Sequence, residues 1–116
     1  MARYGSTGEF SPALTSVTVA ASPVNSNAIN AEAADDARVY VVVTTVPGGA
    51  TLDVDIMISH DGTTYARVAS MTQITATGNY VYPLEKHQLG KYVRLKYTAA
   101  VGTIVFGATL EKKTGV

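Results

Sequence analysis

The chain has 116 residues, nine basic and nine acidic side chains, and no cysteine. That length suits one domain able to fold without covalent staples, and the missing thiols exclude disulfides and thiolate chemistry. With no Trp, two Phe and seven Tyr, the large aromatics are mostly rings with a polar tip, and Val and Thr supply strand-forming bulk.

Residues 1–13, MARYGSTGEFSPA, read as an extended N-terminal arm ahead of a domain spanning residues 14–116. Gly5, Ser6, Gly8, Ser11 and Pro12 work against regular structure there. Tyr4 and Phe10 are large rings on that arm, suited to anchoring in a neighbouring subunit; the plain alternative is a frayed terminus. Leu14–Ala20 alternates and is the first predicted strand. Val24–Ile29 follows Pro23 as a short edge piece. Residues 30–37, NAEAADDA, form the one helix-friendly stretch, two turns at most or a loop with one turn. Arg38–Val46 has few polar residues on either face and is predicted to be a central strand. Pro47-Gly48-Gly49 turns the chain into the stretch 51–69, where Leu52, Val54, Ile56 and Ile58 alternate with Thr51, Asp53, Asp55 and Met57. This is a strand with one buried and one wet face. Asp61-Gly62 then predicts a tight hairpin turn, because such turns need positive φ and Gly has no Cβ to oppose it.

Beyond the hairpin, Met71–Ala76 reads as extended and Thr77-Gly78-Asn79 as a turn. Tyr80–Leu84 is a strand that Pro83 marks as an edge. Glu85–Gly90 is a loop or one helical turn. Lys91–Thr98 puts Val93, Leu95 and Tyr97 on one face and Tyr92, Arg94 and Lys96 on the other. After a turn at Val101-Gly102, Thr103–Glu111 points Ile104, Phe106, Ala108 and Leu110 inward, and Lys112–Val116 is a polar tail. Seven to nine short strands with frequent turns predict an all-β fold: a single antiparallel β-sandwich, jelly-roll-like, carrying the N-terminal arm.

The residues that could carry chemistry are few. Ser59-His60-Asp61 contains the residue types of a triad, but neighbours at a strand end point different ways, and no nucleophile elbow is present. The expectation is no enzyme. Asp53 and Asp55 share a strand face, where they could hold a cation with backbone oxygens; the expectation is instead a solvated face, or pairing with Arg94 and Lys96 if those strands are neighbours, with no metal and no cofactor. Tyr92, Arg94 and Lys96 form a basic-aromatic stripe too short and too balanced by acids for nucleic acid. Tyr80 and Tyr82 share a face and could offer a binding platform; sheet-face packing or a subunit contact is the commoner outcome. Residues 1–61 are net −5 and residues 62–116 net +5. Those charges either pair across strands, which is the expectation, or form two poles that meet in neighbouring copies. Met1–Ser6 is not followed by an apolar core and no apolar run reaches spanning length, so synthesis in a cytoplasm and no membrane contact are expected.

Two phrases carry a resemblance. Ile58-Ser59-His60-Asp61-Gly62-Thr63-Thr64-Tyr65 and Gly90-Lys91-Tyr92-Val93-Arg94-Leu95-Lys96-Tyr97, with Thr72–Gly78 between them, resemble small tailed-bacteriophage decoration (cement) proteins. They lie in residues 52–110, about half the chain. The resemblance implies a virion protein on the outside of the capsid lattice. It would bind the major capsid protein, reinforce contacts between its subunits, and self-associate, with a homotrimer favoured. Tyr4, Phe10, Asp53, Asp55, Tyr80, Tyr82, Arg94 and Lys96 are the candidate partner-binding residues. The alternative is a glycan- or receptor-binding sandwich of a phage fibre or baseplate; similar modules usually carry Trp where this chain has Tyr65.

Overall fold

Among the described residues the period-two pattern becomes ten β-strands in two antiparallel sheets. The structure, a computed structural model, describes residues 3–10, 18–19, 24–32, 34–100 and 104–114. The strands are β1 (Arg3–Phe10), β2 (Thr18–Val19), β3 (Val24–Asn25), β4 (Ile29–Asn30), β5 (Ala34–Thr45), β6 (Thr51–Ser59), β7 (Ala66–Ser70), β8 (Gly78–Leu84), β9 (Tyr92–Ala100) and β10 (Ile104–Thr114). One sheet runs β1-β10-β5-β8 with β2 also on β10; the other runs β3-β9-β6-β7 with β4 also on β9.

The order has a simple logic. If β1 with β2, and β3 with β4, count as two interrupted ribbons, the first ribbon pairs with the last, the second with β9, β5 with β8 and β6 with β7. That nesting is one long antiparallel hairpin rolled into two sheets, which is a jelly roll. Its tip is the loop 60–65.

Between the sheets lies one core. The inward sets are Val39, Val41 and Val43 of β5; Leu52, Val54 and Ile56 of β6; Val93, Leu95 and Tyr97 of β9; and Ile104, Phe106, Ala108 and Leu110 of β10, all buried. Burying each large apolar side chain contributes about 1.5–3 kcal/mol. Tyr97 and Phe106 meet edge to face across the gap, centroids 4.7 Å apart. The Tyr97 hydroxyl is buried with no partner, and burial pushes its phenol well above the usual range.

Several expectations change. Residues 3–10 are not an arm: they form β1, paired antiparallel to β10 from Arg3↔Thr114 to Phe10↔Ala108. Phe10 is 0% exposed, in the core of its own chain. The ladder and that one ring outweigh the weak strand propensity of Gly and Ser. Among its described residues the stretch 30–37 holds no helix; Ala34 begins β5, and Ala34 and Ala37 are both buried. Lys112 and Lys113, expected in the polar tail, instead extend β10 opposite Ala37 and Asp36. Gly78-Asn79 opens β8 instead of forming a turn, and Met71–Ala76 contributes a single bridge, Leu52↔Ile74. The β6–β7 connection spans six residues rather than a two-residue turn. β5 is a central strand and β8, with Pro83, an edge. A single 3-10 turn, Lys86–Gln88, occupies the Glu85–Gly90 segment. The predicted turn at Val101-Gly102 and residues 11–17, which include the start of the first predicted strand, lie outside the described residues.

Candidate interaction surface

The outer face of the β6/β9 pair gathers half of the predicted site residues. Period two turns Asp53, Asp55 and Met57 away from the core, with Arg94 and Lys96 beside them on β9. Register sets Asp55 opposite Lys96 and Met57 opposite Arg94. The carboxylates nevertheless take neutral donors. Asp55 accepts from the Ser70 hydroxyl at 2.7 Å, and Asp53 from the Gln73 amide at 3.1 Å. Arg94 instead stacks on Tyr65, its guanidinium carbon 3.8 Å from the ring centroid. Such a contact is worth about 0.5–1 kcal/mol at an exposed site and more where water is excluded. The Arg94 Nε is buried there without a hydrogen-bond partner. Among the described residues no three His, Asp or Glu side chains converge as a metal site would require.

Eight other charged residues form four ion pairs. Arg38–Glu111 at 2.6 Å, Lys86–Asp35 and Lys91–Glu32 at 3.5 Å, and Lys113–Asp36 at 3.8 Å each join the acidic half to the basic half. These four pairs link the two halves of the sequence, each worth at most about 1 kcal/mol.

Beside this face sits the hairpin tip. Ser59 Oγ accepts from the N–H groups of Asp61 (3.2 Å) and Gly62 (2.9 Å) and donates to Asp61 Oδ1 (2.9 Å). Asp61 Oδ1 also accepts from Thr63 and Thr64 N–H, at 2.8 and 2.9 Å. The backbone donors of Thr64 and Thr63, then the Ser59 hydroxyl, hold the Asp61 carboxyl down to about 2. Hydroxyl and carboxylate thus meet directly, with no histidine between them, as a lock on the loop. Gly62, at φ 78°, lies over the Tyr92 ring: an added Cβ would stand 3.3 Å from Tyr92 Cε2. Gly90 approaches β6 so closely that its Cβ would fall 2.9 Å from the Ser59 carbonyl oxygen.

Loop and Gly90 enclose a cleft of about 210 Å³ lined by Ile58, Ser59, His60, Asp61, Thr64, Tyr65, Ala66 and Gly90, its wall mostly carbon. On the other side of Gly90 a second hollow of about 220 Å³ is lined by Ala31, Glu32, Ala34, Lys86, Leu89 and Lys91. One end of the sandwich therefore carries two adjoining clefts.

The structure does not bring the other candidates to this place. Phe10 is in the core, and Tyr4 lies on β1 opposite Lys113. Tyr80 and Tyr82 are half-buried and pack against the core, so the platform reading gives way to packing. Tyr80 also donates to the Ala76 carbonyl at 2.6 Å. Val81, between them, faces out and is 50% exposed. Tyr65, Ile58 and Gly90 escaped the sequence-based site; the ring that follows Asp61-Gly62 was the available signal.

No protein-family model and no curated protein sequence matches the chain. Among solved structures, the crystal structure titled PBSX exported protein XepA matches with a TM-score of 0.70 and 12% identity, over 97% of this chain. The chain spans 38% of that protein's length. At that identity the likeness is one of fold.

Proposed function

We propose that the chain is a structural protein of a bacteriophage particle, a non-enzymatic jelly-roll module that works by binding other proteins. The seat we propose is the capsid surface, where copies reinforce contacts between major capsid subunits. The observation that carries the reading is the fold shared with XepA, a phage-related protein, over nearly the whole of this chain. The two phrases that resemble decoration proteins support it, because they build the hairpin tip and β9, the ribbons around the clefts.

The means of adhesion differs from a strap. β1 is committed to β10 of its own chain, so binding uses preformed surfaces: the β6/β9 outer face and the loop end. Preformed surfaces lose little entropy on binding. Weak contacts repeated over a lattice, or within a homotrimer, then add up to firm attachment.

The test is co-sedimentation with empty expanded capsids of the phage that encodes the chain, beside a glycan array. Saturable binding to capsids with no array signal supports the reading. Absence of capsid binding overturns the capsid seat. A second reading, a glycan- or receptor-binding module, draws on Tyr65, His60 and Asp61 at the cleft. Array binding by the isolated protein would favour it.

A further inference from the structure

We propose that the cleft between the 60–65 loop and Gly90 is a socket for one apolar side chain of a protein partner, in a segment that also carries a basic residue to meet Asp61. This rests on the reading of the chain as a protein-binding module and names the chemistry of its partner.

Size comes first. At about 210 Å³ the cleft is smaller than the roughly 300 Å³ at which drug-sized ligand pockets begin, so it holds one side chain or ring. The wall decides between those occupants. Ser59 Oγ and Asp61 Oδ1 lie at the cleft but spend their bonding capacity inside the loop, on each other and on the N–H groups of residues 61–64. What remains toward the cleft is largely carbon from Ile58, Tyr65, Ala66 and Gly90. A sugar ring would find few groups there to replace its water; a Leu or Met side chain needs none.

The walls are also held in place. Gly62 rests on the Tyr92 ring, Tyr65 is stacked on Arg94, and Gly90 is wedged against Ser59. A preformed hole for an anchor side chain, ringed by contacts that exclude water, is how binding energy concentrates in protein interfaces. Charge complementarity names the neighbour of the anchor. Asp61 is exposed, and no basic side chain among the described residues lies within ion-pair distance of it. Its Oδ2 takes no hydrogen bond among those residues, whereas Glu32 and Lys91 in the adjoining hollow already pair with each other. The unmatched charge at the socket is negative, so a Lys or Arg beside the anchor completes it.

The experiment is an NMR titration of the whole ¹⁵N-labelled chain with three probes: acetyl-Leu-Arg-amide, acetyl-Gly-Arg-amide and methyl glucoside. The Leu-Arg probe should shift the amides of residues 58–66 and Gly90, saturating with a Kd of about 1–10 mM. The Gly-Arg probe should bind roughly tenfold more weakly, since burial of an anchor side chain is worth at least that factor. Asp61→Asn, which keeps an Oδ1 acceptor for the loop, should weaken Leu-Arg binding about threefold to tenfold. Ala66→Trp, at an exposed cleft position, should plug the hole and abolish the shifts. No localised shift at about 20 mM Leu-Arg, equal response to Gly-Arg, or the same shifts with the glucoside would each overturn the socket. Capsid co-sedimentation separates the two readings. If Ala66→Trp binds capsids as well as the wild type, the socket fails and the capsid seat stands. If the wild type ignores capsids while the peptide titration succeeds, the seat fails and the socket stands.

Discussion

The two ends of the rolled hairpin are held by different means. At its tip, Ser59 to Thr64 are joined by hydrogen bonds between residues two or three apart, all within one loop. At its open end, β1 is held by β10, with Arg3 opposite Thr114 and Phe10 opposite Ala108. The tip encodes its own shape, and the side chains that fix it are those that line the cleft. The open end has no such local code. Its pairing joins the two ends of the chain, so it carries the larger loop-closure cost and depends on burial to offset it. A surface built at the tip can therefore be altered without unfolding the sandwich, whereas the same liberty at the N-terminus strikes the core.

The strongest way to break that comparison is to remove the one large ring β1 contributes. Phe10→Ala should destabilise the fold by about 3–5 kcal/mol, the range for emptying a buried Phe site. Deleting residues 2–10 should cost more, because it also exposes the β10 edge. Urea unfolding followed by circular dichroism reads both. If either variant unfolds at the wild-type midpoint, β1 is dispensable and the strap reading of the N-terminus returns.

The same contrast explains what was legible in the sequence. β6, β9 and the inward set of β10 could be read residue by residue, because one buried face and one wet face write a period of two. The Asp61-Gly62 tip was legible as a turn, although its true length follows from Ser59 and Asp61 capping N–H groups further along. β1 was not legible: Gly5, Ser6 and Gly8 look like a linker until β10 lies beside them. Ala34 to Ala37 look helical until β10 lies beside them and β8 joins at Ala37. The facing of Tyr80 and Tyr82 was open for another reason. On β8 both alternate sets are apolar, so a one-residue choice of face, Tyr inward or Val81 inward, is not written in the pattern. The cleft was out of reach because it joins Ile58 and Tyr65 to Gly90, which lies on a different connection.

A smaller effect sharpens the tip. Gly62 sits at φ 78° with the Tyr92 ring against it, while nothing lies within 4 Å of a Cβ placed on Gly48. Gly62→Ala should cost about 1–2 kcal/mol, the penalty of left-handed backbone for an L residue. Gly48→Ala should stay within about 0.5 kcal/mol of wild type, as exposed changes do. Both are read by the same urea titration. Equal costs would mean that the tip is no more constrained than an ordinary turn, and the locally encoded half of the comparison would fall.

The smallest effect is the titration of Asp61. Its carboxyl lies near 2 in the folded loop against 3.8 for the free group, because Thr64 and Thr63 N–H and the Ser59 hydroxyl bond the charged form. A depressed folded value means the charged loop favours folding above the free value, and the contribution fades as pH falls through about 2. As pH falls from 5 the amide signals of Thr63 and Thr64 should therefore move late, with a midpoint near 2. Asp61→Asn should remove that titration and leave the β1–β10 ladder untouched, because Asp61 bonds to Ser59, Thr63 and Thr64 of its own loop. A midpoint near 3.8 would show that the three donors do not hold the carboxylate in solution. The lock that shapes the cleft would then be absent, and with it the rigidity on which the socket depends.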